Sequence, residues 1–270
     1  MGWEESGDAW GARACDWAYL MEPYARPAND AVFDRLGVTA GTRLLDIACG
    51  SGYAAMVAAS RGAVVSGLDA AGRLLDIARA RTPSGDFRVG DMFALPFEDD
   101  SFDVATSFNG IWAGCEGALT EAVRVIRPGG RFGMTFWGSP KRLGLMPYFM
   151  TVASLSPAGH VTATLGQAET GRPGVAEAMF ADAGIEVSER GRSTVVNEWP
   201  DVATAVRALA AAGPSVPAIE SVGLDRFAAE LTAALEPLVD NCGLRIASEF
   251  GWLVGRTRDL GDERRQPARQ

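Results

Sequence analysis

The sequence predicts an α/β protein with a doubly wound sheet of seven strands, a parallel core, an antiparallel final strand and a helical cap. Three observations predict this fold. Short apolar runs alternate with amphipathic stretches of about ten residues, a pattern that favours parallel strands joined by right-handed helical crossovers. Acidic residues stand at or just after the ends of three successive runs, at Asp46, Asp69 and Asp91. About forty residues separate the last two apolar runs, too many for a hairpin, so they favour a cap.

The N-terminal segment, residues 1–40, is predicted to form an arm that packs on the core. Its aromatic residues, Trp3, Trp10, Trp17 and Tyr24, recur at a spacing that places them near one face of a helix. Glycines at positions 2, 7 and 11 argue against one continuous helix. A further helix is expected at 27–36, ended by Gly37.

The central part, residues 41–258, is predicted to form one domain whose apolar runs are strands. These strands are 43–48, 63–68, 86–89, 103–108 and 131–137, with helices at 53–61, 71–81 and 116–126. In an open sheet of this kind the ligand lies outside the carboxyl ends of the strands. The acids at those ends therefore indicate a binding site.

The region after the fifth strand is predicted to carry the cap in two insertions. Residues 138–170 show weak periodicity and indicate an irregular segment, followed by a helix at 175–183. The second insertion, 200–240, is expected to hold helices at 201–212 and 216–238. A final strand at 244–256 should pair antiparallel with a strand at 185–199, and the polar tail 259–270 is expected to be disordered.

Net charge and residue usage exclude several classes of protein. The net charge is −9, without the basic stripe that nucleic-acid binding needs. A single histidine, His160, and four scattered cysteines without a C-x-x-C pair argue against a zinc site. No apolar run approaches the length of a membrane span. We expect a cytoplasmic protein with reduced cysteines that binds no metal, nucleic acid or membrane.

The most informative motif is the run 44–52, in which an apolar strand leads through Asp46 into Gly50-Ser51-Gly52. Glycines at both ends of this turn allow a tight reversal and a close approach of the backbone to a ligand, because neither has a Cβ. The following helix directs its free N–H groups and its positive dipole end at that ligand. With Asp69 nineteen residues after Gly50, the turn also fits a dinucleotide site.

The combination of motifs resembles the class I S-adenosylmethionine (SAM)-dependent methyltransferases, which have a Rossmann-like sheet. Asp46 with the glycine turn is similar to the first motif of that family, and Asp69 to the acid that holds the ribose hydroxyls. Asp91-Met92 is similar to the pair at the adenine. The stretches 95–104 and 127–132 are similar to the turns into the fourth and fifth strands, so the resemblance covers about residues 15–137.

The resemblance implies a set of SAM-binding residues, and a separate catalytic metal is optional for methyl transfer. Asp46 is expected beside the ammonium group, Leu74 and Met92 around the adenine, and the backbone after Phe108 near the sulfonium. Trp17 and Tyr24 are expected in a lid over the cofactor. The implied cofactor residues are Trp17, Asp46, Ala48, Gly50, Gly52, Asp69, Ala70, Leu74, Gly90, Asp91, Met92, Phe108, Asn109 and Gly110.

Candidates for a general base are Glu116, His160 and Tyr24, each of which has a structural alternative. Glu116 can equally begin a helix, where the dipole favours an acid. A small, largely apolar substrate is expected in a pocket lined by Trp112, Phe136, Trp137, Met146 and Phe149, although the same residues could fill a core. Methylation of an oxygen atom, in secondary metabolism, is expected by analogy alone. A homodimer is possible.

Two other functions stay open at this stage. A protein of the same fold could bind SAM without methylating, as a cyclase or a binding protein. A nicotinamide-dependent reductase would share the glycine turn and Asp69, but Asp46 would then lie close to a pyrophosphate. Lys141 has Trp137, not tyrosine, four residues before it, so the Tyr-x-x-x-Lys pair of short-chain reductases is absent.

Overall fold

The computed structural model describes residues 2–158 and 169–258. Within these residues the strands are β1 Arg43–Ile47, β2 Val64–Asp69, β3 Asp86–Val89, β4 Phe102–Phe108, β5 Ile126–Trp137, β6 Ile185–Trp199, β7 Val239–Asp240 and β8 Gly243–Thr257. They form one sheet in the order β3-β2-β1-β4-β5-β8-β6, and the two-residue β7 pairs with β8.

The direction of the strands confirms the predicted fold class. Strands β1 to β5 pair in parallel, whereas β8 is antiparallel to both β5 and β6. Helices lie on both faces, as in a doubly wound sheet. The short β7 is an addition to the seven predicted strands, because two residues are too few to show a periodic pattern.

The helices, in chain order, are α1 Trp3–Gly11, α2 Ala14–Leu20, α3 Arg26–Arg35, α4 Tyr53–Ser60, α5 Gly72–Arg81, α6 Glu116–Val125, α7 Met146–Leu155, α8 Val175–Asp182, α9 Val202–Ala210, α10 Ser215–Val222 and α11 Leu224–Leu235. Phe33 of α3 packs with Leu44 and Val104 on one face of the sheet. Leu119 of α6 and Phe180 of α8 pack on the other face. The core therefore has two apolar layers.

Before α3, the N-terminal arm forms two helices, α1 and α2, as its glycines suggested, and the break between them comes directly after Gly11. It falls at Ala12–Arg13, whereas Gly7 is inside α1. A Cβ on Gly7 would collide with the backbone carbonyl of Ala70. Gly7 thus serves the close approach of α1 to the loop after β2, and it does not end the helix.

The cap differs from the prediction in two places. The expectation of an irregular segment at 138–170 is wrong over α7, a helix that Pro147 helps to begin. Its apolar residues surround the axis, so they leave no amphipathic period to read in the sequence. The predicted helix 216–238 is divided at Gly223, whose φ is +83°, into α10 and α11. Residues 159–168 and 259–270 lie outside the described part.

Among the described residues, no single helix has the length and apolarity needed to cross a membrane. Helices α9 and α10 have the required length and apolarity only when they are taken together, and the pair is bent by 103°. The predicted division of the chain into arm, domain with cap insertions, and tail stays a prediction, as does the homodimer.

Candidate functional site

The carboxyl ends of β1 and β4 bring Asp46 and Thr106 together. These residues are opposite each other in the parallel register, and the Thr106 hydroxyl donates to Oδ1 of Asp46 over 2.8 Å. The Asp46 side chain is buried, with 1% of the residue exposed. Burial, and to a smaller extent the nearby charges of Glu22 and Asp69, raise the pKa of Asp46 to about 8, although the hydrogen bond from Thr106 opposes the rise. A cation placed here would favour the ionised carboxylate.

The turn after β1 has a left-handed backbone at three positions. Ala48 and Gly50 have φ of +56° and Gly52 has φ of +72°. A Cβ on Gly52 would lie 2.6 Å from the Cβ of Ala78 in α5. Glycine is therefore required at Gly52 by both its conformation and its neighbour.

Asp69 holds the glycine turn to the start of α5. Its Oδ2 accepts from the backbone N–H of Gly50 and its Oδ1 from that of Ala71, each over 2.8 Å. Burial raises the pKa of Asp69, and these backbone hydrogen bonds oppose the rise. Each carboxylate oxygen has a second lone pair, so Asp69 can still accept from two hydroxyl groups of a ligand.

Glu22, in the turn between α2 and α3, is a site residue that the sequence did not indicate. Its Oε1 accepts from the backbone N–H of Ser51 over 2.8 Å and from Nε1 of Trp17 over 3.3 Å. Its Oε2 forms an ion pair with Nη1 of Arg81 over 2.8 Å. An acid in an irregular turn, 29 residues from its partner Ser51, carries no periodic or motif signal.

The turn after β4 lies against the end of β1. Asn109 has φ of +55°, a left-handed conformation that asparagine adopts more readily than other residues with a side chain. Its Oδ1 is buried without a hydrogen-bond partner among the described residues. A Cβ on Gly110 would lie 2.5 Å from the Cβ of Ala48. Phe108 turns its ring to Phe33, 5.2 Å away between centroids, so only its backbone faces the site.

The remaining cofactor candidates lie along the β2 and β3 side. Asp91 follows β3, and its Oδ1 accepts from the N–H of Phe93 over 2.9 Å. Met92 is half-buried against the core, next to Gly90. Leu74 is 1% exposed and packs with Ala14 of α2 and with Ala71, the residue before α5, so the arm covers it. Ala70 lies beneath α1.

The two candidate bases in the described part of the chain, Glu116 and Tyr24, make hydrogen bonds to groups other than Asp46 and Asp69. Glu116 is exposed at the first position of α6, and its carboxylate accepts from the N–H of Gly114 over 2.8 Å. This is the position expected of an acid that only begins a helix. The Tyr24 hydroxyl donates to the backbone carbonyl of Glu198, and burial raises the pKa of Tyr24. His160 lies outside the described residues.

The predicted apolar pocket is divided between two places. Trp137 packs edge-to-face on Phe149 and on Phe250, with centroids 5.2 and 4.7 Å apart. This aromatic cluster, Trp137, Phe149 and Phe250, is half-buried or buried beside the cap. Trp112 and Phe136 pack instead against the core under α6 and α8, and Met146 begins α7.

The residues at the glycine turn fit SAM. Gly50 has no Cβ and so leaves a cradle beside the turn. A Cβ at this position would fill the cradle and lie 2.5 Å from Oε1 of Glu22. Asp69 keeps lone pairs for hydroxyls, Asp46 favours a cation, and the buried Oδ1 of Asn109 is an unused acceptor. In residues 2–158 and 169–258, no three His, Cys, Asp or Glu side chains meet in a way that could hold a metal ion.

Comparison with known proteins agrees with this geometry. Residues 45–134 match the methyltransferase domain family. An uncharacterized protein of Mycobacterium tuberculosis (strain H37Rv) is 33% identical over 174 residues, which cover 58% of this chain and 64% of that protein. A demethylmenaquinone methyltransferase of Renibacterium salmoninarum is 38% identical over 111 residues, which cover 40% of this chain and 47% of that enzyme. The match therefore spans less than two thirds of either relative.

Solved structures share the fold. A candidate methyltransferase of Bacillus halodurans C-125 gives a TM-score of 0.58 at 16% identity, covering 85% of this chain and 98% of that protein. The [4+2]-cyclase SpnF gives a TM-score of 0.53 at 19% identity, covering 86% of this chain and 80% of that protein. At these identities the likeness concerns the fold alone. Over residues 45–134 this chain is thus similar to the methyltransferase domain family, and its fold is shared with solved structures of Rossmann-like methyltransferases.

Proposed function

We propose that this protein binds SAM across the carboxyl ends of β1 and β2 and transfers its methyl group to an oxygen atom of a small, largely apolar molecule. The observation that carries the proposal is the pair of buried carboxylates, Asp46 and Asp69, on either side of the glycine turn. A nucleoside sulfonium offers hydroxyl donors to Asp69 and positive charge to Asp46, whereas Asp46 would repel a pyrophosphate bound at the glycine turn.

When bound, SAM supplies an electrophilic methyl group on a sulfonium. The protein's own contribution is then alignment and the exclusion of water. Trp17 and Tyr24 of the arm belong to the same apolar cluster as Trp137 and Phe149 beside the cap. This cluster places an apolar surface next to the glycine turn, since Trp17 also contacts Glu22. It would suit an apolar substrate, and the name of the Renibacterium relative likewise indicates a small molecule.

The state of the two described candidate bases supports the choice of an acidic oxygen. Glu116 and Tyr24 are engaged in structural hydrogen bonds away from Asp46 and Asp69. An acceptor that ionises by itself near neutral pH does not need them. We therefore propose an acidic hydroxyl as the accepting group, such as the enol of a dicarbonyl compound or a phenol with electron-withdrawing substituents, because an ordinary phenol with a pKa of about 10 would stay protonated.

Calorimetric titration with SAM and with S-adenosylhomocysteine tests the binding. Asp69→Asn should weaken both ligands by about tenfold or more, because a hydrogen bond to a charged group contributes about 1.5–3 kcal/mol. Asp76→Asn is the matched control, since Asp76 lies on α5 with its side chain 76% exposed. Equal affinities for the Asp69 variant and the wild type would contradict the site.

Incubation with SAM and a panel of phenols, enols, amines and thiols, followed by mass spectrometry, tests the transfer. An oxygen-methylated product supports the proposal, and products on nitrogen or sulfur alone contradict the choice of atom. SAM bound without transfer to any acceptor would favour a binding protein or a cyclase.

A further inference from the structure

Arg81 and Glu22 form an ion pair over 2.8 Å beside the glycine turn, and a role for this pair in ligand binding rests on the proposed binding of SAM. We propose that Arg81 binds the α-carboxylate of SAM, together with the backbone N–H of Ser51, and that Glu22 holds the position of that carboxylate in the ligand-free protein.

The surroundings of the Glu22 carboxylate form a receptor for a carboxylate. Oε1 accepts from the N–H of Ser51 over 2.8 Å and from the indole N–H of Trp17 over 3.3 Å. Oε2 accepts from Nη1 of Arg81 over 2.8 Å and from the Ser51 hydroxyl. Four donors on three segments of the chain thus meet at one carboxylate. Charge-assisted bonds of this kind are stronger than neutral ones.

This receptor lies on the ligand side of the glycine turn. Oε1 of Glu22 would be 2.5 Å from a Cβ on Gly50, so the carboxylate occupies the cradle that the missing side chain opens. The same N–H of Ser51 stands just before α4, at the positive end of that helix. The methionine part of SAM, which ends in an α-carboxylate, must lie in this cradle if the glycine turn binds it.

Arg81 is held in place independently of Glu22. Its Nη2 donates to the backbone carbonyl of Ala18 over 2.7 Å, and its Nη1 donates to the carbonyl of Ser51 over 3.0 Å. Its side chain is 12% exposed and that of Glu22 is 14% exposed. A buried guanidinium without a counter-ion is unfavourable. Arg81 therefore always needs a carboxylate beside it, and an incoming carboxylate can take the place of Glu22.

The exchange keeps the charge of the receptor constant. One carboxylate leaves Arg81 and another takes its place, so no buried charge is left unpaired. Burial raises the pKa of Glu22, which means that its ionised form gains solvation on leaving. Glu22 follows α2 directly, and its displacement would therefore also move the arm.

Two ligands that differ only in the carboxylate test the proposal by calorimetric titration: S-adenosylhomocysteine and its decarboxylated analogue, which keeps the amine. Arg81→Met should weaken the first by about tenfold or more and leave the second within about twofold. Glu22→Ala should tighten the first by several-fold, because the competing carboxylate is gone. Arg207→Met is the matched control: Arg207 ties the arm to the cap through Asp16 over 2.5 Å and does not touch the glycine turn.

Three results would overturn the inference. If Arg81→Met weakens the binding of both ligands equally, Arg81 only supports the arm. The same conclusion holds if Arg207→Met weakens binding as much as Arg81→Met does. Weaker binding of both ligands to Glu22→Ala would mean that Glu22 stays and pairs with the ammonium group. Thermal unfolding of each variant verifies its fold, with Glu22→Gln as a substitute if the alanine variant does not fold. A wild type that binds neither ligand would contradict the proposed function instead.

Discussion

The three carboxylates at the glycine turn differ in how many hydrogen-bond donors and positive charges stabilise their ionised forms. Asp69 accepts from two backbone N–H groups, and Glu22 faces a guanidinium and a backbone N–H. Asp46 receives one hydroxyl bond, from Thr106, and lies near the charges of the other two. Ionisation of Asp46 is therefore the least favourable of the three in the ligand-free protein, and a bound cation would stabilise the ionised form of Asp46 most.

The stability of the ligand-free protein should depend on the protonation of Asp46. The folded protein keeps this proton up to a pKa of about 8, whereas the unfolded chain releases it near the ordinary value of 3.8. Between these values the folded state binds more protons, so the free energy of unfolding falls as the pH rises. Asp46→Asn should therefore raise the melting temperature at neutral and alkaline pH.

Thermal unfolding of wild type and Asp46→Asn across the range from acid to alkaline pH measures this effect. The two curves should converge toward low pH and separate as the pH rises to about 8, beyond which the gap stays constant. Glu22 and Asp69 remain in the variant, so its curve should be flatter but not flat. Asp76→Asn, at an exposed site, should follow the wild type. Parallel curves for wild type and Asp46→Asn would contradict the raised pKa.

At the scale of elements, the site depends on how closely α5 approaches the glycine turn. Gly52 begins α4 with a left-handed backbone, and Ala78 of α5 lies directly beside it. Arg81, one helical turn further on, reaches the same turn from α5. The spacing between α4 and α5 thus sets the positions of both the cradle and its guanidinium.

Gly52→Ala should destabilise the protein by about 2–5 kcal/mol, because a left-handed backbone costs about 1–2 kcal/mol and overpacking about 1–3 kcal/mol. The Cβ would meet Ala78 at 2.6 Å. Gly174→Ala separates the two effects, since Gly174 has φ of +86° with nothing within 4 Å of its Cβ position. That control should cost about 1–2 kcal/mol. Equal losses in urea denaturation would mean that the contact with α5 contributes nothing.

Elements with a clear period could be predicted from the sequence, and contacts between distant segments could not. Strands β3 and β6 have the predicted bounds, because alternation and turn residues mark them. Helix α7 was missed because apolar residues surround it. Asp46 and Asp69 stand in recognisable motifs, whereas Glu22 and Arg81 meet only through the packing of α2 on α5, which no local pattern records.

At the scale of the whole molecule, the arm joins the glycine turn to the cap. On one side, Arg81 binds Glu22 and the carbonyl of Ala18. On the other side, Trp199 donates from Nε1 to the carbonyl of Leu20 over 3.0 Å. Trp10 also packs closely against Gly213, in the bend between α9 and α10. A change at the turn can therefore reach the surface where a substrate would lie.

Binding of S-adenosylhomocysteine should then protect two regions from hydrogen exchange that are distant in sequence. Protection is expected in α1 and α2 and, through Trp10 and Asp16, in α9 and α10. These hydrogen bonds and ring contacts couple the opening of the arm to that of the cap. Helix α6, which packs under the opposite face of the sheet, is the internal reference and should exchange at an unchanged rate.

Arg207→Met separates coupling through the arm from a direct effect of the ligand on the cap. The variant removes the Arg207–Asp16 pair but leaves the glycine turn intact, so protection of α1 and α2 should persist while that of α9 decreases. Protection of α9 that is unchanged in the variant would mean that this ion pair does not carry the coupling. Protection confined to the glycine turn in the wild type would mean that arm and cap open independently, and that substrate and cofactor sites form separately.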